Sequence, residues 1–319
     1  MERVSPWVAP WLVVVVLVAA ATGRSARADP QVPCYFVFGD SLVDNGNNND
    51  IASLARANYP PYGIDFRRSH RALQQRPHHR RRHLLGGQLQ NYQAAVQQLV
   101  SILGDEDSAA NHLSQCIFTV GMGSNDYLNN YFMPAVYSTS RQYTPEQYAD
   151  VLVSQYTQQL RVLYNNGARK VALMGVGQVG CSPNELAQQS SDGVTCVARI
   201  NGAIEIFNQK LVELVDQFNT LPGAHFTYIN AYGIFQDILR SPGANGLTVL
   251  NKGCCGVGRN NGQVTCLPFQ TPCANRNEYL FWDAFHPTEA ANILVGRRAY
   301  SAADPSDVHP VDLQTLARL

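Results

Sequence analysis

Short apolar runs alternate with amphipathic stretches along this sequence. The runs are Cys34–Gly39, Cys116–Gly121, Val171–Gly175 and Phe226–Ile229. Each is too short for a helix of ordinary length and reads as a strand buried on both faces. Between them, 89–103, 145–164, 197–218 and 232–239 carry apolar residues at helical spacing, and a last helix follows over 288–300. Pro145 suits the first turn of its helix, and Thr288 is a natural N-cap. A shorter helix is expected over 51–58, before Pro60-Pro61. Strands that alternate with helices imply a mostly parallel sheet covered on both faces. The expected class is therefore α/β, in one domain over 29–319, with no internal repeat.

The N-terminus reads as a signal peptide over 1–28. Arg3 supplies positive charge, 11–21 is unbroken apolar sequence, and Ala26-Arg27-Ala28 fits a small-x-small cleavage site. The run falls short of the roughly 20 residues that span a bilayer. No stable membrane span is expected after processing, and the expected destination is extracellular. Eight cysteines follow that segment. An even count in a secreted chain suggests disulfides. Cys181 and Cys196 bracket a polar loop and can pair, while Cys254, Cys255, Cys266 and Cys273 can staple a Gly/Asn/Pro-rich stretch. No CxxC pair offers zinc-ligand spacing, so no metal and no other cofactor is expected.

Net charge is zero, with 24 basic and 24 acidic residues, but the average hides one segment. Residues 67–83 hold seven Arg and four His and no acid; without those seven the balance is 17 against 24, a net of −7. The rival reading is a basic patch for a polyanion or a membrane surface, but the run lacks interleaved aromatics and a helical face, which argues against it; no nucleic-acid partner is expected.

In parallel sheets the functional site lies beyond the carboxyl ends of the strands. Three polar segments follow apolar runs: Gly39-Asp40-Ser41, Gly123-Ser124-Asn125-Asp126 and Asp283-Ala284-Phe285-His286. Ser41, after an abrupt turn, can expose its hydroxyl and turn its own N–H toward a developing oxyanion; it is equally a cap or loop serine. His286 has the right basicity to take and return a proton. Asp283, three residues earlier, can reach the imidazole and fix its tautomer. Asn125 can aim a side-chain amide at an oxyanion, or simply form a turn.

Together the segments resemble one family. Phe36-Val-Phe-Gly-Asp-Ser-Leu-Val-Asp-Asn-Gly-Asn-Asn48 resembles the first signature block of plant GDSL esterases/lipases. Val120-Gly-Met-Gly-Ser-Asn-Asp-Tyr127 resembles their Gly-x-Asn-Asp block, and Phe281-Trp-Asp-Ala-Phe-His-Pro-Thr288 their Asp-x-x-His block. Cys254-Cys255-Gly256 is similar as well. The resemblance covers 33–66 and 89–300. It implies a flavodoxin-like three-layer α/β/α hydrolase of the SGNH type. Ser41 would be nucleophile, His286 base and Asp283 its orienting acid. The oxyanion donors would be the Ser41 N–H and the Asn125 side chain. The substrate would be a carboxylic ester of a lipid or of an acylated small molecule, hydrolysed through an acyl-serine. The same residues would serve an acyltransferase.

The sequence departs from the family between Phe66 and Leu89. The second block, with a Gly-Arg-Phe-Ser-Asn-Gly segment and a glycine N–H that would be a third oxyanion donor, has no counterpart. The aberrant basic insert at 67–84 stands there instead. Codons exist for it that, read one nucleotide later, spell Ala-Gly-Pro-Thr-Gly-Arg-Phe-Ser-Asn-Gly-Leu-Thr-Thr-Val-Asp-Val-Ile. The insert thus fits family DNA read out of frame, with several tens of residues lost. The sheet is expected to be incomplete at this point, with edges and core exposed. A catalytically impaired remnant is the corresponding rival function.

Overall fold

A computed structural model describes residues 29–43, 59–65 and 85–319. The signal segment 1–28, most of the loop over 40–49, the helix expected over 51–58 and the basic run 67–84 lie outside the described residues. The chain divides into two compact units, Met1–Gln31 and Val32–Leu319. In the first, only 29–31 are described, and they carry no helix or strand.

The second unit is built on a sheet of β1 (Tyr35–Gly39), β2 (Ile117–Gly121), β3 (Lys170–Met174), β4 (His225–Ile229) and, after two strands outside this sheet, β7 (Val308–His309), in the order β1-β2-β3-β4-β7. The first four are parallel and β7 is antiparallel to β4. The helices are α1 (Leu85–Leu103), α2 (Glu106–Ser114), α3 (Pro145–Asn165), α4 (Pro183–Gln189), α5 (Ala198–Asn219), α6 (Ala231–Arg240), α7 (Glu289–Tyr300) and α8 (Leu313–Arg318).

Strand alternation sends successive side chains to opposite faces. On one face Phe36, Phe38, Phe118, Val120, Val171, Leu173, Phe226 and Tyr228 join the main core with α1, α3 and α5. On the other, Ala172 and Ile229 pack with Ala299 of α7 and Leu316 of α8. The α/β class and mostly parallel sheet expected from the sequence are present.

Among the described residues the second layer does not extend to β1. Phe36 stacks on Phe118 at 4.9 Å and meets Tyr92 of α1 edge-on at 5.3 Å. Tyr35 and Val37, which point the other way, are 52% and 48% exposed. A parallel strand is ordinarily covered on both faces. Here β1 is the edge of the sheet, and among the described residues no strand pairs with its outer side. The residues expected to leave the sheet incomplete, 67–84, lie outside the described residues.

Some elements were not visible in the pattern. Helix α1 starts four residues before the expected Leu89. Helix α2, capped by Asp105 through Ser108 N–H at 2.7 Å, α8 and the antiparallel β7 are additions. The apolar residues before Asp283 do not enter the main sheet: β6 (Tyr279–Phe281) pairs with β5 (Val249–Gly253) in a separate two-stranded sheet.

Four disulfides are present: Cys34–Cys116, Cys181–Cys196, Cys254–Cys273 and Cys255–Cys266. The second is the pair read from the sequence, and the last two staple the Gly/Asn/Pro-rich stretch. Among the described residues no helix is long and apolar enough to cross a membrane.

Cys34–Cys116 joins the residue before β1 to the residue before β2, across 82 positions of chain. Removing it as Cys34→Ser with Cys116→Ser is expected to cost about 2–5 kcal/mol in chemical denaturation, the usual range for a native disulfide that closes a long loop. An unchanged denaturation midpoint would show that the strand pair holds without it.

Candidate active site

The carboxyl ends of β1 and β2 lie side by side, with Gly39 in register with Gly121. Ser41 is therefore two residues past the sheet on one loop, and Asn125 four residues past it on the next. Asp40 joins the loops: its carboxylate accepts from the Ser124 hydroxyl and, at 3.1 Å, from the Leu42 N–H. Gly123 has φ 127°, a left-handed conformation that favours glycine, and a Cβ there would lie 3.0 Å from the Phe207 ring. The Gly-Ser-Asn-Asp segment can thus turn tightly against α5.

The third loop leaves β6. Trp282 N–H donates to the His286 carbonyl at 2.7 Å, closing a tight turn around Asp283. The Asp283 side chain is fully buried. Its Oδ1 accepts the backbone N–H groups of Phe285 and His286, each at 2.9 Å. It also accepts from His286 Nδ1 at 2.9 Å, and Oδ2 lies 3.0 Å from the same nitrogen. The three-residue spacing works because the turn points aspartate and imidazole at one another.

His286 Nε2 lies 2.8 Å from Ser41 Oγ. With Nδ1–H donated to the carboxylate, Nε2 carries the lone pair and the serine hydroxyl donates to it. Ser41, His286 and Asp283 thus form one continuous hydrogen-bonded chain. The serine is exposed and the imidazole keeps 33% of its surface accessible, while the aspartate is sealed off. Asn125 is exposed, and its Oδ1 accepts from Asn129 Nδ2 at 2.6 Å. That contact fixes the amide's orientation and leaves its Nδ2 without a partner among the described residues.

Burial alone would push the Asp283 carboxyl up and the His286 imidazole down. For Asp283, the hydrogen bond and charge of His286 and the hydrogen bonds from Tyr62 and Phe285 outweigh burial and hold it below the ordinary carboxylate range. For His286, the hydrogen bond and charge of Asp283, with a contribution from Asp40, outweigh burial and raise it above 6.5. The pair is coupled, and both shifts express the same attraction. Asp126, on the Asn125 loop, is pushed up to about 6 by burial and by the Asp40 charge.

Two contributors were not foreseen from the sequence. The Tyr62 hydroxyl donates to Asp283 Oδ2 at 2.6 Å across 221 positions. The Gln88 side chain pairs with both backbone groups of Gly39, at 3.0 and 2.6 Å, across 49 positions. Only the Tyr-Pro-Pro-Tyr turn and the polar residue at the start of a helix hinted at either. A grouping of metal-binding side chain types among the described residues, Cys34, His112 and Cys116, has both sulfurs in a disulfide.

The family profile described as GDSL-like Lipase/Acylhydrolase matches residues 35–299. A protein of Arabidopsis thaliana named a GDSL esterase/lipase is 53% identical, over 97% of this chain and 98% of its own length. A second from that plant is 54% identical over 92% and 95%, and a third 51% over 97% and 98%. The first comparison runs over 356 positions, more than the 319 residues of this chain. Nearly the whole of both chains is included, so most of the surplus is residues of the relative that face an internal gap here.

The His286 imidazole should titrate above 6.5 when followed by NMR. Asp283→Asn removes the counter-charge and keeps the burial, so the midpoint should fall. A midpoint that ignores the substitution would contradict the coupling.

Proposed function

Because this chain belongs to the GDSL-like lipase/acylhydrolase family, we propose that it is a secreted serine esterase/lipase that hydrolyses carboxylic esters of lipids or acylated small molecules through an acyl-Ser41 intermediate. The observation that carries the reading is the unbroken chain from Ser41 Oγ to His286 Nε2 at 2.8 Å and from His286 Nδ1 to Asp283 at 2.9 Å.

Ser41 Oγ attacks the ester carbonyl carbon as its proton passes to His286 Nε2. Buried Asp283 stabilises the imidazolium and keeps Nδ1 protonated throughout. The carbonyl oxygen, now an anion, is met by the Ser41 N–H and the Asn125 Nδ2. The tetrahedral intermediate collapses, the C–O bond to the alcohol breaks, and the alcohol leaves with the proton held on Nε2. Water then attacks the acyl-serine, again losing its proton to His286, and the acid is released as the proton returns to Ser41 Oγ. An alcohol in place of water would give acyl transfer with the same residues. Each step is carried by side chains and backbone of this chain.

The imidazole must be neutral to act as base, so activity is lost as pH falls through the His286 pKa. Since that pKa is raised, the acid limb of kcat/KM should lie above 6.5. The relatives' plant source, the four disulfides and the signal-like N-terminus support secretion to the apoplast.

The test is hydrolysis of a short-chain chromogenic ester by the chain starting at Asp29. Ser41→Ala should lower kcat on the order of 10⁴–10⁶-fold, as removal of a serine nucleophile does. Asn125→Ala should cost about 10²–10³-fold in kcat, as loss of one oxyanion donor does. A folded chain whose turnover is indifferent to Ser41→Ala would overturn the reading. Retained ester binding with no turnover would favour a non-catalytic remnant.

A further inference from the structure

Ser41 stands two residues beyond the end of an edge strand. Both N–H and C=O of a strand residue point to the same side, alternately toward one neighbour and the other. In β1 the Cys34 carbonyl accepts from Ile117 N–H at 3.2 Å, so Cys34, Phe36 and Phe38 face β2. Tyr35, Val37 and Gly39 therefore face outward. Among the described residues, Tyr35 and Val37 have no backbone partner on that side. Gly39, the last residue before the turn to Ser41, does have one.

That partner is the carboxamide of Gln88, in the first turns of α1. Its Oε1 accepts the Gly39 N–H at 3.0 Å and its Nε2 donates to the Gly39 carbonyl at 2.6 Å. A donor and an acceptor on one planar amide reproduce what the peptide group of a neighbouring strand would offer. Gly39 thus has both backbone groups held by Gln88, while the residue before it, Phe38, faces β2. The turn that follows is tight: Val43 N–H donates to the Asp40 carbonyl at 3.2 Å, and a Cβ on Gly39 would fall 2.4 Å from Val43 Cγ2.

We propose that Gln88 is a positioning residue for Ser41, its carboxamide serving in place of a neighbouring strand to fix the end of β1 and so the direction in which the nucleophile leaves the sheet. The inference rests on the reading of Ser41 as nucleophile. Gln88 bonds to Gly39 and not to Ser41, so it acts through Gly39. Unheld, Gly39 would exchange its outward partners with water, and the Ser41 to His286 distance would spread. Misplacement of a reacting group by about 1 Å can cost on the order of 10²-fold in rate.

The experiment compares the native chain with Gln88→Ala, which removes both contacts, and Gln88→Glu, which keeps an acceptor but sets a carboxylate oxygen against the Gly39 carbonyl. Ester hydrolysis is measured well below each melting temperature and expressed per folded molecule, with Ser41→Ala alongside. Both variants should lose about 10–100-fold in kcat, with KM changed less than twofold and the acid limb unmoved, because the Asp283–His286 pair is untouched. A role confined to stability would lower the melting temperature and leave kcat per folded molecule intact, which overturns the proposal. In the native chain the Gly39 amide should be protected from hydrogen exchange to the same degree as its neighbours facing β2; rapid exchange at Gly39 overturns it whether or not the variants fold. If turnover survives Ser41→Ala, it is the hydrolase reading that fails; if turnover needs Ser41 but ignores Gln88, only this inference does.

Discussion

The active site depends on the pairing of β1 with β2. It is the one sheet contact β1 makes among the described residues, and it runs from Tyr35 opposite Ile117 to Gly39 opposite Gly121. A parallel pair needs support from outside itself, since its slanted bonds are slightly weaker than antiparallel ones. Here the support is at both ends: the Cys34–Cys116 disulfide before the strands begin, and the Gln88 carboxamide where β1 stops. Stacking of Phe36 on Phe118, with Tyr92 across both, fills the length between. The pairing brings the Ser41 and Asn125 loops together, and the tight turn after β6 brings His286 to them.

The residues of the candidate site were legible because they lie in short blocks whose local geometry is nearly self-contained. Asp283 and His286 meet within one turn, and Asn125 sits in a Gly-rich segment just past a strand. Tyr62 and Gln88 were not legible, because each acts on a residue far away in sequence and is itself an ordinary polar side chain in an ordinary turn or helix. The small sheet was missed for another reason: Val249-Leu-Asn-Lys-Gly253 is only half buried and has no clean alternation. The nested pairing of Cys254 with Cys273 and Cys255 with Cys266 had three possible connectivities, and two adjacent cysteines offer no spacing argument between them.

The region after Phe66 links the sequence to the structure. The Arabidopsis relatives match nearly end to end, yet the comparison is longer than this chain, so the shortfall is internal. In the structure, one face of β1 is about half exposed at Tyr35 and Val37, and its outer side has no strand among the described residues. A strand and its covering helix would fill those two vacancies. The anomalous charge of 67–84 and its compatibility with a second reading frame are consistent with the same event.

The central claim is that Ser41, His286 and Asp283 remain an assembled, activated unit although a neighbouring block is absent. Its most direct measurement is covalent capture by a fluorophosphonate ester, with the modified residue located by mass mapping. The account requires one phosphonyl group per folded chain, on Ser41, formed at a rate that falls sharply in Asp283→Asn. A folded, monomeric chain that stays unmodified, or that reacts equally well without Asp283, would contradict it.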